Sequence, residues 1–570
     1  MSKYGQYISI VSLALALSLV AACGGHRPTL TPEDPHWKDA DDKDTPELEF
    51  KEGNLVWDAL RRPTFDQATQ GVDIYRNMAH LTGSGRQAWN INSYDELPNS
   101  SWYTNRHHLN PMSPEEIQRG YFQNGGPDTT GRWEVFRPKV GGVTPGFWIK
   151  DRNGDAYILK FDPPGYPELG TSTAAMSGRI FYACGYNVPE ETIVSFHPDS
   201  LDIGSDVTYK DETGAKIPFT RETLNSILER VNIQDDGRVR CLASTLLPNV
   251  RGPFSFSGRR KDDPNDWCDH EHRRELRALR LFCAFVNHWD IKDDNSMNCQ
   301  VEEDGRSFLR HYLMDFGTTM GSGGYRLQLP TRGHTNFFDI NDVGFSFLTL
   351  GAKVWPWENP EPVFHPSVGY FEAETFKPQS WKPGYPLPAF ENMTLRDGYW
   401  AAKVIMSLRD DDLRAVIAAG KLSDEGARDY MLRTLATRRD KIGEYYFKRI
   451  NALEFFKLTG DISSLRIDFV DLSVKYGLVG SSESRYEVEH AGTELINDRP
   501  TDSPNHLFLS ADDLLAIKES FDTRDGKDNI FELEIETRRD DGKWSNPVRL
   551  SLWYHPEEDR FQLVGIEHVE

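Results

Sequence analysis

Residues Asn287–Asn298 read NHWDIKDDNSMN, and this stretch decides which fold the sequence predicts. The segment before it, EHRRELRALRLFCAFVN, has leucine and phenylalanine at helical spacing, so an amphipathic helix leads directly into the stretch. The segment after it contains FLRHYLMDFG, which predicts a strand that ends in Asp-Phe-Gly. The stretch itself has the pattern H-x-D-x-K-x-x-N, formed by His288, Asp290, Lys292 and Asn295. Each part alone is common, but the three parts in this order are specific.

These residue types suit phosphoryl transfer from ATP. That chemistry needs a carboxylate to orient the attacking hydroxyl, and oxygen ligands for magnesium. Asp290 can orient the hydroxyl. Asn295 and Asp315, the aspartate of Asp-Phe-Gly, offer the hard oxygen ligands that magnesium prefers.

The sequence from Arg132 onward supplies the other parts that ATP requires. RWEVFRPK predicts a strand, VGGVTPG a glycine-rich turn, and FWIKDRNGDAYILKFDP two strands joined by the turn DRNG. The glycines Gly141, Gly142 and Gly146 can cover the phosphates. Lys160, on the last of these strands, can hold the α and β phosphates.

The pattern resembles the protein-kinase-like superfamily. HWDIKDDN is similar to its HRDLKPEN catalytic loop, DFG to its metal-binding motif, and YILK to its VAIK strand. The resemblance covers about residues 132–451 and implies an α+β, two-lobed kinase-like fold, with an N-lobe at about 132–250 and a C-lobe at about 251–451.

The resemblance also implies roles for individual residues. Asp290 would be the catalytic base, and Lys292 would steady the transferred phosphoryl group. Asn295 and Asp315 would hold Mg²⁺, Lys160 would bind the ATP phosphates, and His288 would support the loop. Lys160 should have a carboxylate partner on the helix after its strand. Glu168 is the candidate, and Glu190 and Glu191 are weaker alternatives.

Several departures from the superfamily pattern narrow this interpretation. The glycine loop does not match GxGxxG, so its role is inferred from position. Trp289 replaces the arginine that in many protein kinases pairs with a phosphorylated activation loop, and no APE follows DFG. The sequence is closer to atypical branches such as HipA-type and small-molecule kinases, so the acceptor could be a protein or a small molecule.

The N-terminus has the form of an export signal. Lys3 precedes an apolar stretch too short to span a membrane comfortably, and LVAACGG follows it. The ending VAAC resembles a bacterial lipobox, which implies a signal peptide at 1–22, lipid attachment at Cys23 and anchoring in the bacterial cell envelope. Gly24 after the cysteine favours the outer membrane. Residues 23–53 then predict an acidic tether.

The remaining regions follow from composition and pattern. The 570 residues predict several domains, with an N-terminal extension at 54–131 and a β-rich domain at 462–570. The formal charge of -23 argues against a nucleic-acid partner. Five cysteines follow Cys23, with no zinc-binding spacing and no assigned disulfide.

Two other functions stay open. The first is a catalytically inactive kinase-like module that binds a ligand or a protein. This function is considered because ATP is scarce outside the cytoplasm. The second is a calcium-binding surface protein that uses the aspartate-rich loop. The joint presence of Lys160, Asp290, Asn295 and Asp315 favours an ATP-dependent phosphotransferase over both.

Overall fold

The computed structural model describes residues 30–32, 41–53, 87–139, 146–210, 214–339, 348–349, 354–358, 360, 362–500, 505–519, 530–540 and 542–570. Cys23, Gly141 and Gly142, for which the sequence predicts functions, lie outside the described residues. The chain is a mixed α+β protein, as the sequence predicts.

The first part of the chain forms a six-stranded sheet in the order β4-β8-β3-β2-β1-β5. Its strands are β1 Trp133–Lys139, β2 Gly146–Lys150, β3 Ala156–Phe161, β4 Glu191–Phe196, β5 Leu201–Ile203 and β8 Val239–Thr245. A small hairpin, β6 Thr208–Lys210 and β7 Lys216–Pro218, lies apart from this sheet. The three strands predicted before and around Lys160 are therefore confirmed, and they pair in antiparallel order.

Helices cover and follow this sheet. They are α1 Pro114–Arg119, α2 Leu169–Ala183, α3 Arg221–Leu228, α4 Arg274–Val286, α5 Pro388–Glu391, α6 Leu395–Met406, α7 Asp410–Ala419 and α8 Glu425–Phe447. Buried side chains of α2 share one apolar core with those of α4, α6, α7 and α8. The helix α2 thus joins the sheet to the helical part of the molecule.

A two-stranded hairpin follows the predicted catalytic loop. It consists of β9 Ser296–Glu303 and β10 Arg306–Leu313, paired in antiparallel register from Ser296 with Leu313 onward. Because antiparallel pairing brings the first residue of one strand beside the last residue of the next, Asn295 and Asp315 lie at the same end of the hairpin.

Residues 41–53, part of the stretch for which the sequence predicts a tether, lie along this hairpin. The Thr45 amide donates to the Ser307 carbonyl over 2.7 Å. The Leu48 amide donates to Gln300 Oε1 over 3.0 Å, and Gln300 Nε2 donates to the Pro46 carbonyl over 2.9 Å. This segment is therefore bound to the surface of the folded chain.

The C-terminal part contains two antiparallel sheets. One has the order β11-β12-β15 and the other β14-β13-β16-β17-β18. The strands are β11 Leu453–Asp461, β12 Ser464–Asp471, β13 Ser484–His490, β14 Thr493–Arg499, β15 His506–Ser510, β16 Ile530–Arg539, β17 Val548–His555 and β18 Arg560–His568. Two helices, α9 Leu472–Lys475 and α10 Ala511–Glu519, connect them. Apolar side chains of both sheets form one core, separate from those of the preceding regions.

Two further features concern the described residues as a whole. All five cysteines there are buried and free. Among the helices that the structure describes, no helix combines the length and the apolar character needed to cross a membrane.

Candidate active site

The catalytic loop begins where helix α4 ends. Asn287 ends the helix in the left-handed conformation, with φ of 52°, and turns the chain toward the site. Asp290 follows, and Lys292 Nζ lies 3.1 Å from both of its carboxylate oxygens. Asn295 Nδ2 donates to the Asp290 carbonyl over 2.7 Å, which closes the loop on itself. Lys292 therefore holds the carboxylate of Asp290, and Asn295 holds its backbone carbonyl.

Two features of its environment change the pKa of Asp290 in opposite directions. Burial raises the pKa of Asp290, and the positive charge of Lys292 lowers it. The net effect is a pKa above the usual value of 3.8. A base with a raised pKa accepts a proton more readily, which suits a group that must take the proton of a hydroxyl.

The two predicted metal ligands are brought together by the β9–β10 hairpin. The Met314 amide, next to Asp315, donates to the Asn295 carbonyl over 3.0 Å. Asn295 uses its amide nitrogen on the loop, so its Oδ1 atom remains as a potential ligand. The side chain of Asp315 is 51% exposed. One amide oxygen and one accessible carboxylate suit Mg²⁺, which takes only a few protein ligands beside water and phosphate oxygens.

No group of three or more histidine, cysteine, aspartate or glutamate side chains within the described ranges could hold a metal ion alone. A metal ion at Asn295 and Asp315 would need further oxygen ligands, which water or the phosphates of a nucleotide could supply. A pre-formed calcium cage, which needs six to eight oxygen ligands, is less well matched by the described residues.

Lys160 points from strand β3 toward the hairpin. Its Nζ lies 3.0 Å from Asp315 Oδ1 and 4.0 Å from Glu191 Oε1. Burial lowers the pKa of Lys160, but the two carboxylates outweigh burial and raise it. Lys160 therefore carries its positive charge into the space between the sheet and the hairpin.

The structure corrects the predicted partner of Lys160. Glu168 precedes helix α2 and accepts a hydrogen bond from the Ser423 amide over 2.9 Å, so it is engaged elsewhere. The helix α2 has the sequence LGTSTAAMSGRIFYA and contains no acidic residue, so no carboxylate on that helix can face Lys160. Glu191, the first residue of strand β4, takes this position. Burial raises the pKa of Glu191, and Lys160 opposes that rise.

The two alternatives considered for this position differ in what they contact. Glu190 accepts hydrogen bonds from the amides of Gln123, Asn124 and Gly125 at 2.7–2.8 Å, so it anchors a loop. The neighbouring Glu191 points the opposite way, as successive residues of a strand do. The two glutamates at the start of EETIVSF, Glu190 and Glu191, are the sequence signal for this carboxylate. Because side chains alternate along an extended chain, the two glutamates point to different faces.

Phe316, the phenylalanine of Asp-Phe-Gly, packs into the core beneath the site. Its ring stacks on Phe181 of helix α2, with centroids 4.9 Å apart, and lies 5.8 Å from the His288 ring. Burial lowers the pKa of His288 to about 4, so this imidazole is neutral near pH 7. His288 therefore contributes to packing. Sequence reasoning missed Phe181, because only the fold brings this residue beneath the site.

Gly146 is the single described member of the predicted glycine loop. It begins strand β2 and lies opposite Lys160 in the antiparallel register. Lys139, the last residue of strand β1, pairs with Gly146, so both lie at the end of the sheet where Lys160 lies.

Comparison with known proteins adds little to this description. No family model matches the chain, and no curated protein matches it. Two solved structures of the Golgi casein kinase match with 11% identity and a TM-score of 0.24. The first covers 73% of this chain and 96% of that chain. The second, a complex with Mn/ADP, covers 74% of this chain and 96% of that chain. Both neighbours are kinases, but a TM-score of this size carries no argument about this chain.

Proposed function

We propose that this chain is an atypical, kinase-like phosphotransferase that moves the γ-phosphoryl group of ATP to a hydroxyl in a Mg²⁺-dependent reaction. One observation carries the proposal. Lys160 and Asp315, which are 155 residues apart in sequence, meet at 3.0 Å. The hairpin Ser296–Leu313 lies between Asn295, five residues after Asp290, and Asp315. A lysine, two metal ligands and a base are what phosphoryl transfer requires.

The chemistry assigns one task to each residue. Mg²⁺, held by Asn295 and Asp315, would supply positive charge to the phosphates. Lys160 binds phosphate oxygens, and Glu191 keeps the ammonium group of Lys160 at the site. Asp290 orients the acceptor hydroxyl and takes its proton. The acceptor oxygen bonds to the γ-phosphorus, the bond to the β,γ-bridging oxygen breaks, and its electron pair leaves on ADP.

The proposed setting is the bacterial cell envelope. The lipobox-like ending at Cys23 supports export, lipid attachment and a membrane partner through the anchor. The proposal of two lobes is supported by a core in the six-stranded sheet that is distinct from the core of the helical part, although helix α2 contributes to the helical core.

A second candidate function is a kinase-like module that binds without catalysis. One observation favours it. Lys160 lies nearer to Asp315 than to Glu191, so the carboxylate that should hold the metal is engaged by the lysine. An active enzyme must replace this ion pair with Mg²⁺ and phosphate.

Calorimetry with MgATP tests the proposal. We expect saturable binding that requires Mg²⁺ and that Asp315→Ala weakens about tenfold or more, because the metal loses its carboxylate. Asp411→Ala is the matched control, since that carboxylate is exposed on the surface and 4.0 Å from Arg414. Absence of MgATP binding by folded wild-type protein would refute the proposal, and so would equal binding by wild type and Asp315→Ala.

A further inference from the structure

The segment that follows Asp-Phe-Gly places an arginine beside the catalytic loop. The guanidinium of Arg332 lies 4.4 Å from the ring centre of Trp289 and 4.4 Å from that of Phe337. Trp289 directly precedes Asp290 in the chain. We refer to Trp289, Arg332 and Phe337 as the guanidinium cluster.

Arg332 is held firmly in this position. Asn287 Nδ2 donates to Gln328 Oε1 over 2.7 Å and to the Arg332 carbonyl over 3.3 Å. Trp381 Nε1 donates to Asn287 Oδ1 over 2.8 Å. The carbonyl of Arg332 and the side chain of Gln328 are thus both bound to Asn287 at the end of helix α4. A guanidinium fixed between two rings loses little freedom when it binds a ligand.

The guanidinium of Arg332 contacts aromatic rings and has no ion-pair partner among the described residues. Neither Arg326 nor Arg332 forms an ion pair or donates a side-chain hydrogen bond to any residue that the structure describes. Arg332 is half-buried, and burial lowers its pKa, while Asp290 raises it and Arg326 lowers it further. Arg332 is therefore electrostatically coupled both to the base and to a second guanidinium.

A planar guanidinium that stacks on aromatic rings still presents its N–H groups at the edge. These groups match the two oxygens of a carboxylate or phosphate. An acceptor hydroxyl must reach Asp290. Other groups of the acceptor therefore lie close to the loop and to Arg332, which packs on it.

We propose that Arg332 binds an oxyanion of the acceptor, so that the acceptor is a hydroxyl compound that also carries a carboxylate or phosphate. This inference rests on the proposed function, because it places the acceptor relative to Asp290. The oxyanion could belong to a free metabolite-sized molecule or to a residue beside the hydroxyl in a polypeptide.

Two matched pairs of probes test the proposal by equilibrium binding in calorimetry. One pair is glycerol 3-phosphate and glycerol. The other is a serine peptide flanked by glutamates and the same peptide flanked by glutamines. We expect wild-type protein to bind one anionic probe at least about tenfold more tightly than its neutral counterpart. The pair that shows this preference identifies the source of the oxyanion.

Variants connect the preference to the cluster. Arg332→Ala should abolish the preference for the anionic probe. Arg332→Lys should retain part of this preference, because lysine keeps the positive charge but lacks the planar guanidinium. Arg449→Ala is the matched control, since that guanidinium also stacks on a ring, Tyr445, at 3.7 Å. Lys160→Ala should keep the preference, which separates the cluster from the ATP phosphate site.

The outcomes distinguish this inference from the proposed function. An equal affinity for anionic and neutral probes in both pairs would overturn the inference, and so would a preference that survives in Arg332→Ala. If MgATP binds but Arg332 has no effect on the preference, only the inference fails. If the preference depends on Arg332 but MgATP does not bind, the anion site stands and the phosphotransferase function fails.

Discussion

Glu191 and Glu168 offer a direct comparison at the scale of single residues. Glu191 is buried beside Lys160, whereas Glu168 accepts a hydrogen bond from the Ser423 amide. We expect Glu191→Gln to weaken MgATP binding about tenfold, or ~1.4 kcal/mol, because Lys160 is then held by Asp315 alone. Calorimetry measures this change. Glu168→Gln should leave the affinity unchanged, and the opposite ranking of the two variants would contradict the assignment of the Lys160 partner.

Lys292 sets the acidity of the base. Its positive charge lowers the pKa of Asp290 against the effect of burial. Asp290 acts only when ionised, so the rate of ATP turnover should fall as pH decreases through its pKa. Lys292→Gln removes the opposing charge, which raises this pKa and moves the acid limb of the pH–rate profile to higher pH. Lys448→Gln, at an exposed ion pair, should leave the profile in place. An acid limb that stays fixed or moves downward in Lys292→Gln would contradict this account.

At the scale of elements, much of the site could be predicted from sequence because its residues lie within or beside regular structure. Alternation in YILK predicts strand β3 with Lys160, and helical spacing predicts α4 before the catalytic loop. The carboxylate beside Lys160 could not be assigned in this way. It depends on how β4 packs against α2 through tertiary contacts, and sequence spacing favoured Glu168, which is near in sequence but faces elsewhere.

The segment after Asp-Phe-Gly contains several glycines with positive φ, among them Gly333 and Gly324. Gly333 has φ of 89°, and a Cβ there would lie 2.3 Å from Asn287 Oδ1. Gly324 has a similar φ of 83°, but a Cβ there would meet its nearest neighbour at 3.5 Å. Gly324→Ala should therefore cost about 1 kcal/mol of unfolding free energy from backbone strain alone.

Gly333→Ala adds a steric clash to that strain. We expect it to cost about 1–3 kcal/mol more than Gly324→Ala in urea unfolding, because Asn287 and Trp381 must move. Equal losses in the two variants would show that the segment is not held against Asn287 as described.

At the scale of the whole molecule, buried charges join the C-terminal sheets to the helical part. Lys403 of α6 lies 2.6 Å from Glu454 of β11 and also pairs with Glu96. Arg396 pairs with Glu567 at 3.1 Å, on strand β18. The sequence predicts the separate β-rich region from its alternating pattern. It does not predict this network, because charged residues distant in sequence reveal no pairing without the fold.

Loss of Lys403 should destabilise both regions together. Lys403→Met leaves Glu96 and Glu454 buried without their cation, which we expect to cost about 3–5 kcal/mol of unfolding free energy. Lys448→Met, at an exposed pair with Glu444, should cost no more than about 0.5 kcal/mol. Chemical denaturation measures both values. A Lys403→Met variant as stable as Lys448→Met would contradict the structural role of the network.

The N-terminal segment shows a further limit of sequence reasoning. Residues 41–53 are polar and acidic, so their composition predicts a solvated linker. Their polar groups instead bind the hairpin that connects Asn295 and Asp315, through Gln300 and Ser307. Composition describes what a segment can do alone, but not the hydrogen-bonding groups that the rest of the fold presents to it.

ADP formation from MgATP, compared between wild type and Asp290→Asn, tests the central claim most directly. The account predicts Mg²⁺-dependent ADP formation by wild type, with water or an added hydroxyl compound as acceptor. It predicts that Asp290→Asn lowers this rate about 100-fold or more, with MgATP affinity within about twofold of wild type. Turnover by Asp290→Asn at the wild-type rate, or no ADP formation by wild-type protein that binds MgATP, would contradict the claim.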